Sequence, residues 1–317
     1  MRIVIIGGAG HIGTYLTPRL VEAGHTVLNV SRGQSRPYQT HPAWSAVETV
    51  TLDRAAAEAD RTFGPRLAAL HPDAVIDLIC YTLESVRHLV PALSGNIAHF
   101  LHCGTIWVHG RSIEVPLTED APRHPTSDYG VRKVAIESYL VTEARVHNFP
   151  ATVLHPGHIV GRGWVPLNPA ANFNPAVFTA LARGEELALP NIGMETLHHV
   201  HADDVAQAFV QALNHRSVSL GESFHVVSPA ALTLAGYAEI VASWFNRPAN
   251  LKFVPWETWA ASVSEKEARI TWDHISRSPN CSIAKAARLL EYRPRYRSPE
   301  AVRDALSWLL ENRQLEI

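Results

Sequence analysis

Lysine is scarce in this chain of 317 residues: Lys133, Lys252, Lys266 and Lys285 are its only four. Lysine and arginine together number 28 against 30 acidic residues, so no basic surplus draws the chain to nucleic acid or to an anionic membrane. Cysteine is equally sparse. Cys80, Cys103 and Cys281 form no C-x-x-C pair, which excludes a disulfide scaffold, and Cys80 and Cys103 read as small buried hydrophobes in apolar runs. No apolar run approaches the roughly 18 residues of a membrane span. The opening strand is too short, and lacks the basic lead-in, for a signal peptide. The chain is expected to be cytoplasmic, with no membrane partner. Internal repeats and low-complexity tracts are absent, and the length accommodates one large or two modest domains.

What is present begins at the first residues. Arg2-Ile3-Val4-Ile5-Ile6 reads as a short buried strand, rich in β-branched residues. Gly8, Gly10 and Gly13 then fit G-x-G-x-x-G, and helical apolar spacing runs from His11 to Ala23 through Ile12, Leu16, Leu20 and Val21. Such a turn lets backbone N–H groups approach a pyrophosphate, and the helix N-terminus adds partial positive charge. An NAD site of this kind usually has an Asp or Glu about 20 residues further on, for the ribose hydroxyl. The second strand, His25 to Val30, instead runs into Ser31-Arg32-Gly33. Arg32, with Arg36 in reserve, is suited to a 2′-phosphate and Ser31 to a hydrogen bond with it, so NADP(H) is favoured over NAD(H). A third strand, Thr49 to Arg54, brings Asp53 within reach of an adenine amino group, although Asp53 also suits the N-cap of the next helix.

Strand and helix signals alternate onward. Ala74 to Cys80, Ile97 to Cys103 and Ala151 to His155 read as strands, and Pro125 to His147 as a long helical stretch. Six strands with helical crossovers imply an α/β fold whose parallel sheet is covered on both faces. From 157 the rhythm breaks into Pro-, Gly- and Asn-rich sequence with one helix near Pro175 to Arg183. A strand and helix return between Leu197 and Leu213, followed by a strand at Phe224 to Val227. A Trp-rich stretch from Pro255 to Trp272 and an amphipathic helix from Pro299 to Asn312 complete the chain. The expected division is a dinucleotide-binding domain over 1–156, with 197–228 returning to it, and a mainly substrate-binding lobe over 157–317.

Tyr129 and Lys133 lie on the long helix four residues apart, hence on one face. A nearby ammonium lowers a phenol's pKa from about 10, so Tyr129 is expected to exchange a proton with a hydroxyl while hydride moves. Thr105 precedes Tyr129 by 24 residues, inside Cys103-Gly104-Thr105-Ile106-Trp107-Val108-His109-Gly110. With these residues the chain resembles the extended short-chain dehydrogenase/reductase family, in its NAD(P)-dependent epimerase/dehydratase branch. Gly7, Gly10 and Gly13 match the glycine motif, and Tyr129 and Lys133 the Y-x-x-x-K. Gly104 to Gly110 is similar to S-S/T-x-x-V-Y-G, which puts Thr105 on the hydroxyl residue that binds the reacting oxygen. His155 to Gly161 resembles the loop holding the nicotinamide ribose, which implies cofactor contacts from Pro156, His158 and Ile159. Val200 to Ala206 resembles V-H-V-x-D-x-A, and Leu290 to Pro294 the usual C-terminal segment.

The resemblance implies a Rossmann doubly wound sheet with a smaller irregular C-terminal substrate lobe, commonly a homodimer. Cofactor-binding residues are then Gly7, Gly10, His11, Ile12, Gly13, Ser31, Arg32, Arg36, Asp53, Arg54, Lys133, Pro156, His158 and Ile159. The catalytic set is Thr105, Tyr129 and Lys133, and the substrate contacts are Trp107, His109, Asn172, Phe173, His201 and Trp256. The activity implied is epimerase-like hydride transfer on a sugar or sugar nucleotide, with net carbonyl reduction or alcohol oxidation as the alternative. Three departures matter. His109 replaces a tyrosine. Ile106-Trp107 replace the Asp-Glu pair of 4,6-dehydratases, which excludes that elimination. Leu197 stands where epimerases place a phosphate-binding arginine, a role left to Arg269, Arg277, Arg293, Arg295 or Arg297, or to none. Val30 to Gly33 and Leu52 to Arg54 are also similar to an atypical branch found in RNA-binding plastid proteins, so a non-catalytic, RNA-associated role is a further reading. The near-neutral charge opposes nucleic acid as a partner.

The 18 histidines raise the question of a metal. In His198-His199-Val200-His201, on a strand, His199 and His201 share one face and His198 the other. At most two meet one ion, and no cluster at metal spacing supplies a third ligand. No metal centre is expected, and His158 and His201 are read as hydrogen-bonding within the cleft.

Overall fold

A computed structural model describes all 317 residues, Met1–Ile317. Seven parallel strands form the central sheet: β1 (Arg2–Ile6), β2 (Thr26–Ser31), β3 (Glu48–Thr51), β4 (Ala74–Asp77), β5 (His99–Cys103), β6 (Ala151–Pro156) and β7 (Ser223–Val226). Their spatial order is β7-β6-β5-β4-β1-β2-β3. The chain builds outward from β1 in one direction, then returns to lay β4 on its other side. The order therefore reverses between β1 and β4, where a crevice opens beyond the carboxyl ends of the strands.

Alternation along β1 shows why the sheet is covered twice. Ile3 and Ile5 face one apolar cluster, which includes Leu16 and Leu20 of the helix His11–Glu22 and Phe209 of the helix Ala202–Asn214. Val4 and Ile6 face another, with Leu89 of the helix Leu83–Leu93 and Ile136 and Leu140 of the helix Asp128–His147. A strand buried on both faces reads as a continuous hydrophobic run, as this one does.

A third cluster packs Phe178, Tyr237, Trp259 and Leu306 away from the sheet. Short strand pairs brace that region: Glu186–Pro190 with Asn250–Val254, and His158–Val160 with His199–His201. The Trp-rich stretch divides into the helices Trp256–Ser262 and Glu265–Ile275. Ser264 starts the second through a reciprocal capping box with Glu267. No helix of the chain is long and apolar enough to cross a membrane.

The structure departs from the sequence expectation at two strand ends and at one helix, among smaller shifts. The third strand ends at Thr51, because the Asp53 side chain accepts a hydrogen bond from the Ala56 N–H and caps the helix Arg54–Ala59. The fourth ends at Asp77, and Leu78 and Ile79 beyond it line the crevice. The helix Leu83–Leu93, whose N-terminus Thr82 caps, was not read from the sequence at all.

Candidate active site

The glycine turn between β1 and its helix closes on itself before it meets any ligand. Gly7 adopts φ +88°, the left-handed region that glycine populates readily. A Cβ on Gly13 would overlap the carbonyl of Gly8, so the helix start packs directly on the turn. Asn29, on β2, accepts a 2.9 Å hydrogen bond from the Gly8 N–H and fixes the turn from below. Sequence reasoning missed Asn29, a polar residue within an apolar strand. This cradle and the helix N-terminus above it fit a pyrophosphate.

Two cavities share Gly7 and Gly10 at this turn. One, of about 430 Å³, runs toward the ends of β2 and β3 and is bordered by Ser31, Arg32, Gln34, Ser35 and Asp53. Arg32 is exposed there, and Arg36 is exposed but outside the lining. Arg54 borders the cavity with its guanidinium engaged by Glu58 at 2.7 Å and Asp77 at 2.9 Å. The other cavity, of about 500 Å³, is lined by His11, Ile12, Pro156, His158 and Ile159 among the expected cofactor contacts. The His11 ring stacks on Trp164 at 3.9 Å, and burial pulls its pKa down to about 3.

Thr105, Tyr129 and Lys133 all line the larger cavity. Thr105 ends the segment after β5 and caps the single turn Ile106–His109. Tyr129 and Lys133 come from the first two turns of the helix Asp128–His147, which Ser127 caps by accepting from the Gly130 N–H. Lys133 is 2% exposed, and its Nζ donates to the carbonyls of Cys80 and Cys103, each at 2.7 Å. It lies 5.8 Å from the Tyr129 ring centre. The expected lowering of the Tyr129 pKa is not found. Burial pushes the phenol above its ordinary range, with the Thr105 hydroxyl pulling the other way. The ammonium is committed to two carbonyls, and burial lowers its own pKa.

Of the six expected substrate contacts, two line this cavity: Trp107 and Phe173. Tyr81, Trp164 and His274 line it as well. His274 packs edge-on to Trp107 at 5.2 Å and to His158 at 5.6 Å, with burial holding its pKa at about 4. The other four do not line it. His109 turns away from the cavity toward His225, 2.8 Å between Nε2 atoms, because its ring is buried beneath the loop. Asn172 spends its amide on Asn168 and Asn174 of its own loop and on Thr271 of the helix Glu265–Ile275. His201 caps the helix Ala202–Asn214 and stacks on Tyr296 at 4.0 Å. Trp256 packs against Trp259 and Trp272.

Leu197 is 1% exposed and pairs with Leu232. Among the arginines considered in its place, Arg277 backs the cavity wall, its guanidinium 3.9 Å from the Trp107 ring centre. Arg293 is bound to the carbonyls of Ala287 and Tyr292, and Arg269 is exposed.

Comparison with known proteins places the chain in a family. The NAD dependent epimerase/dehydratase family matches residues 3–226. A 2'-dehydrokanamycin reductase of Streptomyces kanamyceticus is 27% identical over 282 residues, 87% of this chain and 76% of the reductase. The 41 kDa chloroplast stem-loop binding protein b of Arabidopsis thaliana is 26% identical over 316 residues, 96% of this chain and 78% of that protein. Among solved structures, the UDP-glucose 4-epimerase of Thermotoga maritima superposes with TM-score 0.73 at 20% identity, covering 98% of this chain and 99% of its own. With a cofactor cradle, a parallel sheet and a family match over most of its length, the chain belongs to the NAD dependent epimerase/dehydratase family.

Proposed function

We propose that this protein transfers hydride between a nicotinamide cofactor and a hydroxyl or ketone carbon of a sugar or sugar nucleotide, in the manner of an epimerase. The observation that carries the reading is the meeting of Thr105, Tyr129 and Lys133 in a cavity that also opens onto the glycine turn. The Thr105 hydroxyl and the Tyr129 phenol hold the substrate oxygen. Tyr129 takes or gives the hydroxyl proton. An ammonium has three N–H donors; Lys133 spends two on carbonyls and keeps one for a cofactor ribose hydroxyl. The cofactor supplies the hydride acceptor and, when oxidised, a positive charge that favours the phenolate. Trp107 and Phe173 offer faces to a sugar ring.

For the cofactor we infer NADP(H) before NAD(H). The β2 strand ends without a carboxylate, and Ser31 and Arg32 border the adjoining cavity. A homodimer is the assembly this reading carries with it.

A second reading, net reduction of a carbonyl on a substrate without a diphosphate, rests on the cavity lining. Lys133 is the only lysine or arginine there, and Leu197 cannot pair with phosphate. The similarity to a reductase supports it. A non-catalytic RNA-associated role has less behind it, since a net charge of −2 gives little pull on a phosphate backbone.

Denaturing the purified protein and assaying the released nicotinamide separates the two readings. Stoichiometric retained cofactor supports an epimerase that regenerates its own nicotinamide and identifies NAD or NADP. An empty protein that oxidises NADPH with a ketone supports net reduction.

A further inference from the structure

Three histidines outside the proposed reaction converge behind the catalytic loop. His109 ends the turn that begins after Thr105, His155 lies on β6 and His225 on β7. All three are buried, and one ring nitrogen from each lies within 4.8 Å of the others.

Their hydrogen bonds decide the tautomers. His109 Nδ1 is 3.3 Å from the Pro122 carbonyl, and His225 Nδ1 is 3.3 Å from the Ser282 carbonyl. A carbonyl oxygen only accepts, so the tautomer pair that satisfies both carbonyls carries its hydrogens on the two Nδ1 atoms. Each Nε2 is then a bare lone pair, and the two lie 2.8 Å apart. Lone pairs at that distance repel one another unless a cation binds them. The third ring, His155, has Nε2 at 3.1 Å from the Glu137 carboxylate, and neither of its ring nitrogens makes a well-formed hydrogen bond within the protein. Backbone carbonyls behind two imidazoles and a carboxylate behind the third are the contacts that orient histidines on a metal.

We propose that His109, His155 and His225 bind one divalent d-block cation, with Zn²⁺ the best match to three imidazoles. Glu137 stays an outer partner, because Arg123 donates to it at 2.8 Å and balances its charge. Three protein nitrogens leave one position for water. His109 also borders a surface groove of about 710 Å³ under the loop 111–126, which provides the entry path. Tetrahedral Zn–N bonds of about 2.0–2.1 Å set their nitrogens about 3.3 Å apart, so the 2.8 Å His109–His225 pair opens slightly as the ion binds. The ion fastens the turn that begins at Thr105 to β6 and β7, a structural role separate from hydride transfer.

The test uses untagged full-length protein, loaded with Zn²⁺ or Co²⁺ and then desalted. One ion per chain, an intense visible spectrum of four-coordinate Co²⁺, and a melting temperature raised by Zn²⁺ are expected. His225→Gln should weaken binding at least about ten-fold and abolish the Co²⁺ band. If that variant fails to fold, the wild-type stoichiometry and spectrum decide alone. No retained ion, or a six-coordinate Co²⁺ spectrum unchanged by His225→Gln, overturns the proposal. The two rings would then share a proton.

Discussion

The buried ammonium of Lys133 donates a 2.7 Å hydrogen bond to the carbonyl of Cys103, the last residue of β5, two positions before Thr105. A matching bond reaches Cys80, in the segment that follows β4. Lys133 is thus a clamp across two strand ends as well as a neighbour of Tyr129. Its position on the helix face sets the height of the loop that carries Thr105.

That clamp predicts a stability cost separate from any catalytic one. Lys133→Met leaves two buried carbonyls without a donor, at about 1–3 kcal/mol for each unsatisfied group. Urea unfolding of the variant should show a lower midpoint with an unchanged slope. A midpoint equal to the wild type would mean that the carbonyls find other partners.

Gly13→Ala places a methyl against the Gly8 carbonyl. Either the turn opens or the helix start shifts, and both disturb the backbone N–H groups meant for the pyrophosphate. Cofactor affinity should fall by more than ten-fold in equilibrium titration, with the sheet intact by circular dichroism. Unchanged affinity would show that the phosphates bind elsewhere.

Arg32 is exposed at the border of the adjoining cavity. Exchanging it for a carboxylate, Arg32→Glu, removes a charge-assisted bond worth about 1.5–3 kcal/mol. NADPH binding should weaken by at least about ten-fold, while NADH binding holds or improves. Equal losses for both cofactors would contradict a 2′-phosphate role.

Buried neutral histidines make the fold sensitive to acid. Burial holds His11, His99 and His199 at about 3 and His274 at about 4, against 6.5 for the free group. Below about pH 6.5 the unfolded chain binds protons that the folded one refuses, so stability falls as pH drops. Each such group loses about 1.4 kcal/mol per pH unit until its folded pKa is reached. The melting temperature should be level above about pH 7 and drop steeply between about 6 and 4. A flat profile to about pH 4 would contradict these burials.

Local pattern carried the glycine turn, β1 and the pairing of Tyr129 with Lys133, because all three obey short-range geometry. It gave two possible roles for Asp53, and the cap is the one observed. Spacing had nothing to say about His274, which reaches Trp107 from a helix 167 residues away only through lobe packing. The same holds for His109, His155 and His225, whose meeting depends on strand order. For His201 and Asn172 the pattern does not show that a helix cap and a network reaching Thr271 engage their polar groups.

The proposed chemistry stands on a proton exchange between Tyr129 and the substrate oxygen as hydride moves. The decisive measurement is chromatographic product analysis after mixing cofactor-loaded protein with sugars, sugar nucleotides and cyclic ketones, which registers epimerised and reduced products alike. The wild type should turn over at least one of these. Tyr129→Phe should be slower by about 10²–10⁴-fold with unchanged cofactor affinity. A Tyr129→Phe protein that turns over the same substrate at the wild-type rate would contradict the account.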